Sequence, residues 1–176
     1  MTLLLRLFGW IGGQFRLILR DLVFNAIASS VMLPKKLRPY FINLFGHRIA
    51  RTASIAPNCF IGSWSGMSVG DNSYINYGCF FDLGAETIIG RNVFVGYEVM
   101  FCTCSHAIGS ESQRAGPPTV QSIVVGDGAW VGARSILMPG SVIGSGTIVA
   151  AGSVVTGVCT ANSLYAGVPA RWVRDL

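Results

Sequence analysis

Two histidines are the only imidazoles in this chain of 176 residues, and their settings differ. His106 closes the run FCTCSH, the last unit of an ordered repeat before it is interrupted, and the segment AIGSESQRAGPPTVQS that follows breaks the pattern with Pro117, Pro118, Glu111 and Arg114. An imidazole titrates near neutral pH, so it can take a proton and return it within one reaction. A loop that leaves a rigid scaffold beside such a group forms a cleft. His47 precedes the repeat, lacks such a setting and reads as structural. Cys102, Cys104 and His106 alternate as C-x-C-x-H, a spacing that invites zinc. Two thiolates and one imidazole leave the fourth ligand unsupplied and no second pair lies nearby, so no metal is expected. The two cysteines read as wall residues beside the histidine.

The scaffold is a repeat of six residues. From Val125 to Cys159 the chain reads VGDGAW VGARSI LMPGSV IGSGTI VAAGSV VTGVC, with an aliphatic leader and a small fifth residue. The same phase holds upstream from Ile89, Val95 and Phe101. Further back the leaders are Ile49, Ile55 and Ile61, then Val69, Ile75 and Phe81, with a two-residue slip before Val69 and another before Ile89. Fifth positions such as Ala53, Cys59, Ser65, Cys79, Ala85, Ser105, Ser135 and Cys159 are never large. One unit is a short strand plus a corner; three close a triangular coil, and coils stack at about 4.8 Å through backbone hydrogen bonds. Leaders fill the interior and small residues sit where space runs out. No helical period interrupts residues 49–160, which disfavours a doubly wound α/β sheet.

Composition narrows the setting. Half the residues are hydrophobic and 12% charged, so much surface is covered by other subunits or a membrane. The net charge of +5 is dispersed, which disfavours nucleic acid. Five cysteines are an odd count; Cys59, Cys79 and Cys159 fall on small fifth positions, so no disulfide framework is implied and a reducing cytosol is expected. Residues 2–31 are rich in Leu, Phe and Ile, with Leu4, Phe8, Ile11, Phe15, Ile18 and Leu22 at threes and fours. That period predicts a helix with one apolar face, packed on the body or on another subunit, or attached peripherally to the inner face of a membrane with help from Lys35, Lys36 and Arg38. The charge-free run from Leu22 to Pro34 is too short to span a bilayer, which needs roughly 20 residues.

The segments SHAIG, GDGAWVGAR, AAGSVVT and GVPAR carry a family resemblance. Over roughly residues 46–176 the chain resembles the hexapeptide-repeat acetyltransferases, closest to the sugar and polysaccharide O-acetyltransferases of the galactoside, maltose and nodulation-factor type. The resemblance implies an all-β fold, a left-handed parallel β-helix over 46–165 with the loop 107–122. An apolar helical segment over 1–45 precedes it and a CoA-contacting tail over 166–176 follows. It also implies a homotrimer with acetyl-CoA as donor and active sites between neighbouring prisms. His106 matches the catalytic base and Asn76 the asparagine of the cleft. Tyr74, Asp82 and Glu111 are placed toward the acceptor. The backbone N–H near Ala133 matches the oxyanion position. Trp130, Gly132, Ala133, Ala150 and Ala151 match the pantetheine path, and Thr156, Arg171 and Arg174 the contacts to pantetheine or phosphates. One departure stands out: by count from His106, the glutamate that orients the histidine in galactoside-type enzymes falls on Pro117. Glu111 or a backbone carbonyl must take its place, which favours a polysaccharide or natural-product acceptor over a free sugar. Serine or antibiotic O-acetylation on the same fold, and a non-catalytic scaffold, are the alternatives.

Overall fold

The computed structural model describes residues 2–176, and the side chains of residue 6 and of residues 8–176. Leu4, one of the predicted apolar positions of the first helix, lies outside the described side chains. Thr2–Arg20 form helix α1 and Asp21–Ala28 continue it as a π-helical turn; α2 follows at Arg38–Asn43. From Arg48 onward the chain winds into a three-faced column. Its first face holds six strands beginning with Arg48–Ile49, its second seven beginning with Ser54–Ile55, and its third five beginning with Phe60–Ile61.

These strands pair in parallel with the one a full coil away, as Ile75 does with Ile55 and Val95, except the last of the second face, Ala170–Asp175, which turns back antiparallel on Ser163–Gly167. The leaders point inward: Ile75, Val95, Phe101, Val131, Leu137 and Val149 are fully buried. Most small fifth residues are buried too, and their hydroxyls donate to carbonyls of the next coil, Ser73 to Gly90 at 2.7 Å and Ser135 to Ala150 at 3.0 Å. At the corners Asn58, Asn72, Asn92 and Asn162 take left-handed backbone angles, φ 52° to 63°, which Asn tolerates because its side chain bonds locally.

The slips have a geometric reason. Where the rhythm gains two residues, the first-face strand lengthens to three, as Met67–Val69 and Thr87–Ile89, and the strand that re-enters the first face after the segment following His106, Ile123–Val125, has the same length. A strand alternates sides with period two, so an insertion of two keeps the leader inward and adds one inward residue. Met67, Thr87 and Ile123 fill that place, which leaves Ser65 exposed and Ala85 and Ser105 half-buried rather than at tight corners.

The N-terminal segment closes one end of the column. Phe24 and Ile42 are fully buried, and Phe24 meets Phe45, His47 and Trp64 edge-on at 5.1–5.6 Å. Arg38 is 1% exposed and meets no carboxylate; its Nε donates to Ala28 O at 2.5 Å, its Nη2 to Ser30 O and Leu33 O at 2.8 Å, and its Nη1 to Ile55 O.

His47 is a core residue. Its Nδ1 accepts the Met67 N–H at 3.3 Å, and its Nε2 donates to Ser63 O at 3.2 Å. Burial pushes its pKa down to about 4, against the pull of the Ser63 carbonyl. Above pH 6.5 the ring is neutral folded or unfolded, and adds no pH dependence. Below that, the unfolded chain binds a proton that the fold refuses, so stability falls as pH drops from 6.5 to about 4. The expected loss is about 3 kcal/mol. Denaturant midpoints at pH 7 and pH 4.5 measure it, and His47→Gln flattens that dependence.

Candidate active site

The chain presents two groups of polar and small residues at two different corners of the column. The corner between the second and third faces carries a groove of about 410 Å³. Asn76, Tyr97, Trp130, Gly132, Ala133, Ala150 and Ala151 line it, with Phe94, Ile148 and Leu164 on the second face beside them. Six of the residues singled out from sequence therefore come together. The groove exists because residues at this corner are small. A Cβ on Gly132 would lie 2.4 Å from Ala151 N, and one on Gly96 2.5 Å from Ala133 N, so larger side chains would push the coils apart. Among the described residues no protein acceptor takes the N–H of Ala133 or Ala151.

A second, polar pocket of about 400 Å³ shares Asn76 and Tyr97 with the groove and adds Asn58, Tyr77 and Glu98. Asn76 Oδ1 accepts the Tyr77 N–H at 2.9 Å, which leaves its amide NH₂ as the free end. Tyr74 stacks on Phe94, 5.3 Å between centroids, and Lys35 Nζ sits over the rings of Tyr74 and Tyr77 at 5.8 and 5.1 Å.

Toward the C-terminus the groove meets arginine. The outward residues of the second face run Tyr74, Phe94, Trp130, Ile148, Leu164 and Arg174 in register, five steps or about 24 Å. Residues 171 and 174 are three apart and would point to opposite sides of a regular strand. A bulge at Val173 corrects this, because Leu164 pairs with Arg174 while Ala166 pairs with Arg171. Both guanidiniums thus share the face of Leu164. Trp172 and Asp175 share the other face, where Trp172 Nε1 donates to Asp175 Oδ1 at 3.2 Å. Thr156 stands apart from the groove, bordering with Arg171 a depression of about 210 Å³ at the end of the column.

His106 lies at the corner between the third and first faces. The segment after it is an ordered hairpin and no loose loop: Cys104–Ile108 pair antiparallel with Ala115–Val120, His106 opposite Pro118. Asp82 anchors its base, its Oδ1 accepting the Thr103 N–H at 2.9 Å and the Thr103 hydroxyl, its Oδ2 accepting the Cys104 N–H at 3.0 Å. Burial works to raise the Asp82 pKa, but these bonds outweigh it and hold the carboxyl below its usual range. Asp82 was expected to face an acceptor; the structure commits both its oxygens to the hairpin, because the chain leaves the column directly above it.

The histidine is exposed, and its Nδ1 lies 2.8 Å from Gly116 O. A carbonyl only accepts, so the neutral ring carries its proton on Nδ1 and leaves the Nε2 lone pair free. The backbone carbonyl therefore fixes the tautomer and the orientation of the ring. Glu111 is at the exposed tip of the hairpin and makes no hydrogen bond among the described residues. Gly116 was absent from the sequence reading: its signal is a main-chain atom, set by the register of the hairpin. Within one chain the third-face strand Met100–Phe101 separates this histidine from the groove. No group of described His, Cys, Asp and Glu residues has the geometry to hold a metal.

Comparison with known proteins follows the same lines. The family described as bacterial transferase hexapeptide (six repeats) matches residues 122–157. A Staphylococcus haemolyticus protein classed as an acetyltransferase is 32% identical over 157 residues, which cover 89% of this chain and 81% of that one. Three other curated relatives are spanned over only 52–63% of their length, among them the galactoside O-acetyltransferase of Escherichia coli, 27% identical over 73% of this chain. The fold, a left-handed parallel β-helix, is shared with a maltose O-acetyltransferase from Clostridium difficile at TM-score 0.82 and 23% identity, covering 91% of this chain and 86% of that one. A hexapeptide-repeat acetyltransferase from Vibrio cholerae, solved with acetyl-CoA, aligns at TM-score 0.73 and 28% identity over 89% of this chain and 85% of that one.

Proposed function

Because this chain belongs to the hexapeptide-repeat acetyltransferases, we propose that it moves the acetyl group of acetyl-CoA to a hydroxyl of a sugar or glycosylated acceptor. The observation that carries this reading is the continuous path from the polar pocket at Asn76, along the small-residue groove, to the paired arginines. Its apolar middle suits a pantetheine arm, and Arg171 and Arg174 suit phosphates, which guanidinium binds through paired donors. The Vibrio cholerae relative holds acetyl-CoA. The pocket of Asn58, Tyr77 and Glu98 offers donors and acceptors for the hydroxyls of a sugar.

The chemistry needs a base, and His106 supplies it. Its free Nε2 takes the acceptor proton as the hydroxyl oxygen attacks the thioester carbonyl. The oxyanion forms against the Ala133 N–H. Collapse breaks the carbon–sulfur bond, and the CoA thiolate leaves as thiol with the proton returned by the imidazolium.

His106 and the groove occupy different corners, so one active site draws on two copies. A ring of three parallel columns sets one copy's hairpin against the next copy's groove, a head-to-tail interface that closes on itself. Release of free thiol from acetyl-CoA with a panel of sugars, oligosaccharides, serine and aminoglycosides tests the reaction. Co-expression tests the sharing: His106→Ala and Asn76→Ala are each inactive, while mixed assemblies keep one intact site in each mixed trimer. About a quarter of wild-type activity returns on random mixing. No recovery in mixed assemblies refutes the shared site, and no acetyl-CoA turnover or binding by the intact protein leaves a scaffold.

A further inference from the structure

Short of Arg20, the described side chains of helix α1 stand off the column. None of the residues 8–19 is buried, and Phe8, Trp10, Phe15 and Ile18 are 63–67% exposed. A Cβ added at Gly9, Gly12 or Gly13 would meet no atom within 4 Å. A helix this apolar in water must be covered by something.

Its polar side identifies the cover. Arg6, Gly9, Gly13, Arg16 and Arg20 recur at threes and fours and form one narrow strip. Arg20, at the end of that strip, turns toward the body, donating to Gly62 O at 2.8 Å and to Asp21. Phe8, Trp10, Ile11, Phe15, Leu17 and Ile18 occupy the wide remainder of the circumference, interrupted by Gln14. Contact with one neighbouring helix covers a narrow seam and would leave most of this arc in water. A lipid surface covers a wide arc at once, and the flanking arginines lie at headgroup level. Charge agrees: with Arg20 paired to Asp21, residues 1–19 still carry Arg6 and Arg16 and no acidic residue, and Lys35 and Lys36 follow. No described helix is long and apolar enough to cross a membrane.

We propose that α1 is an in-plane anchor that docks this protein on an anionic lipid bilayer, with the π-helical turn and Arg20 fixing the column to it. The proposal is independent of the acetyl-transfer reading. Its test is co-sedimentation of the intact protein with vesicles of phosphatidylcholine and phosphatidylglycerol at three to one, against vesicles of phosphatidylcholine alone. Binding is expected to be roughly tenfold stronger on the anionic vesicles and to weaken as salt rises from about 0.1 to 0.5 M. The double substitution Phe15→Asp, Ile18→Asp is expected to cut binding at least about tenfold. Its far-ultraviolet spectrum and CoA affinity stay at wild-type values. Absence of vesicle binding by the intact protein overturns the proposal. So does equal binding to both vesicle types, or a double substitution that alters only the oligomeric state.

Discussion

Replacement of His106 by alanine is expected to lower kcat for acetyl transfer by roughly 10²–10⁴-fold while the KM for acetyl-CoA stays near its wild-type value. The separation follows from the layout of the site. The groove and the free Ala133 and Ala151 N–H groups lie at another corner of the column, and the arginine pair on the strand that follows Leu164 at the end of the second face, so losing the imidazole leaves the donor path intact. In the proposed reaction, what disappears is the acceptor of the hydroxyl proton. The companion Glu111→Gln is expected to leave kcat within about twofold, because Gly116 O, and not that carboxylate, holds the ring. Steady-state kinetics of thiol release for the three proteins decide it. A loss at Glu111 as large as at His106 would mean that the hairpin tip folds back onto the acceptor in the assembled enzyme.

The largest effect on stability belongs to Arg38. Its guanidinium gives donors to Ala28, Ser30, Leu33 and Ile55, four carbonyls drawn from the end of the π-helical turn, the connection after it and the first coil of the column. Arg38→Leu keeps much of the volume and removes every donor. Burying those carbonyls without partners is expected to cost on the order of 3–5 kcal/mol. The expected result is a lower denaturation midpoint and rapid cleavage between residues 29 and 37 under limited proteolysis. Arg38→Lys keeps the charge but not the planar fork, and falls between the two. A midpoint unchanged by Arg38→Leu would show that the cap is held by Phe24 and Ile42 alone.

Much of this protein was legible because a β-column repeats one local rule. A leader every six residues with a small residue four places on is a statement about the interior of a triangular coil. Ile75, Val131 and Leu137 obey it without reference to anything distant in the chain. The slips were visible as well, although which residue fills the added place was not. Ser65 satisfies the pattern and stands exposed because Met67 takes the inward position once strand parity is counted. The groove residues Trp130, Gly132, Ala133, Ala150 and Ala151 also follow from the repeat, which stacks equivalent corner positions above one another.

Elsewhere the decisive contacts join segments that no periodicity relates. The partner of His106 is a main-chain oxygen ten residues on, fixed by the hairpin's register, and side-chain identities carry no information about it. Asp82 reads as an acceptor ligand until the chain turns outward above it and offers two backbone N–H groups. Arg171 and Arg174, three apart, share a face only because a bulge intervenes. The sequence by itself determined the column, its interior and the residues that line its corners, since those depend on spacing along the chain. Which corner each group occupies, and hence that His106 and the groove lie apart within one copy, was decided by the tertiary structure. Closing a coil through three turns converts distance along the chain into direction in space.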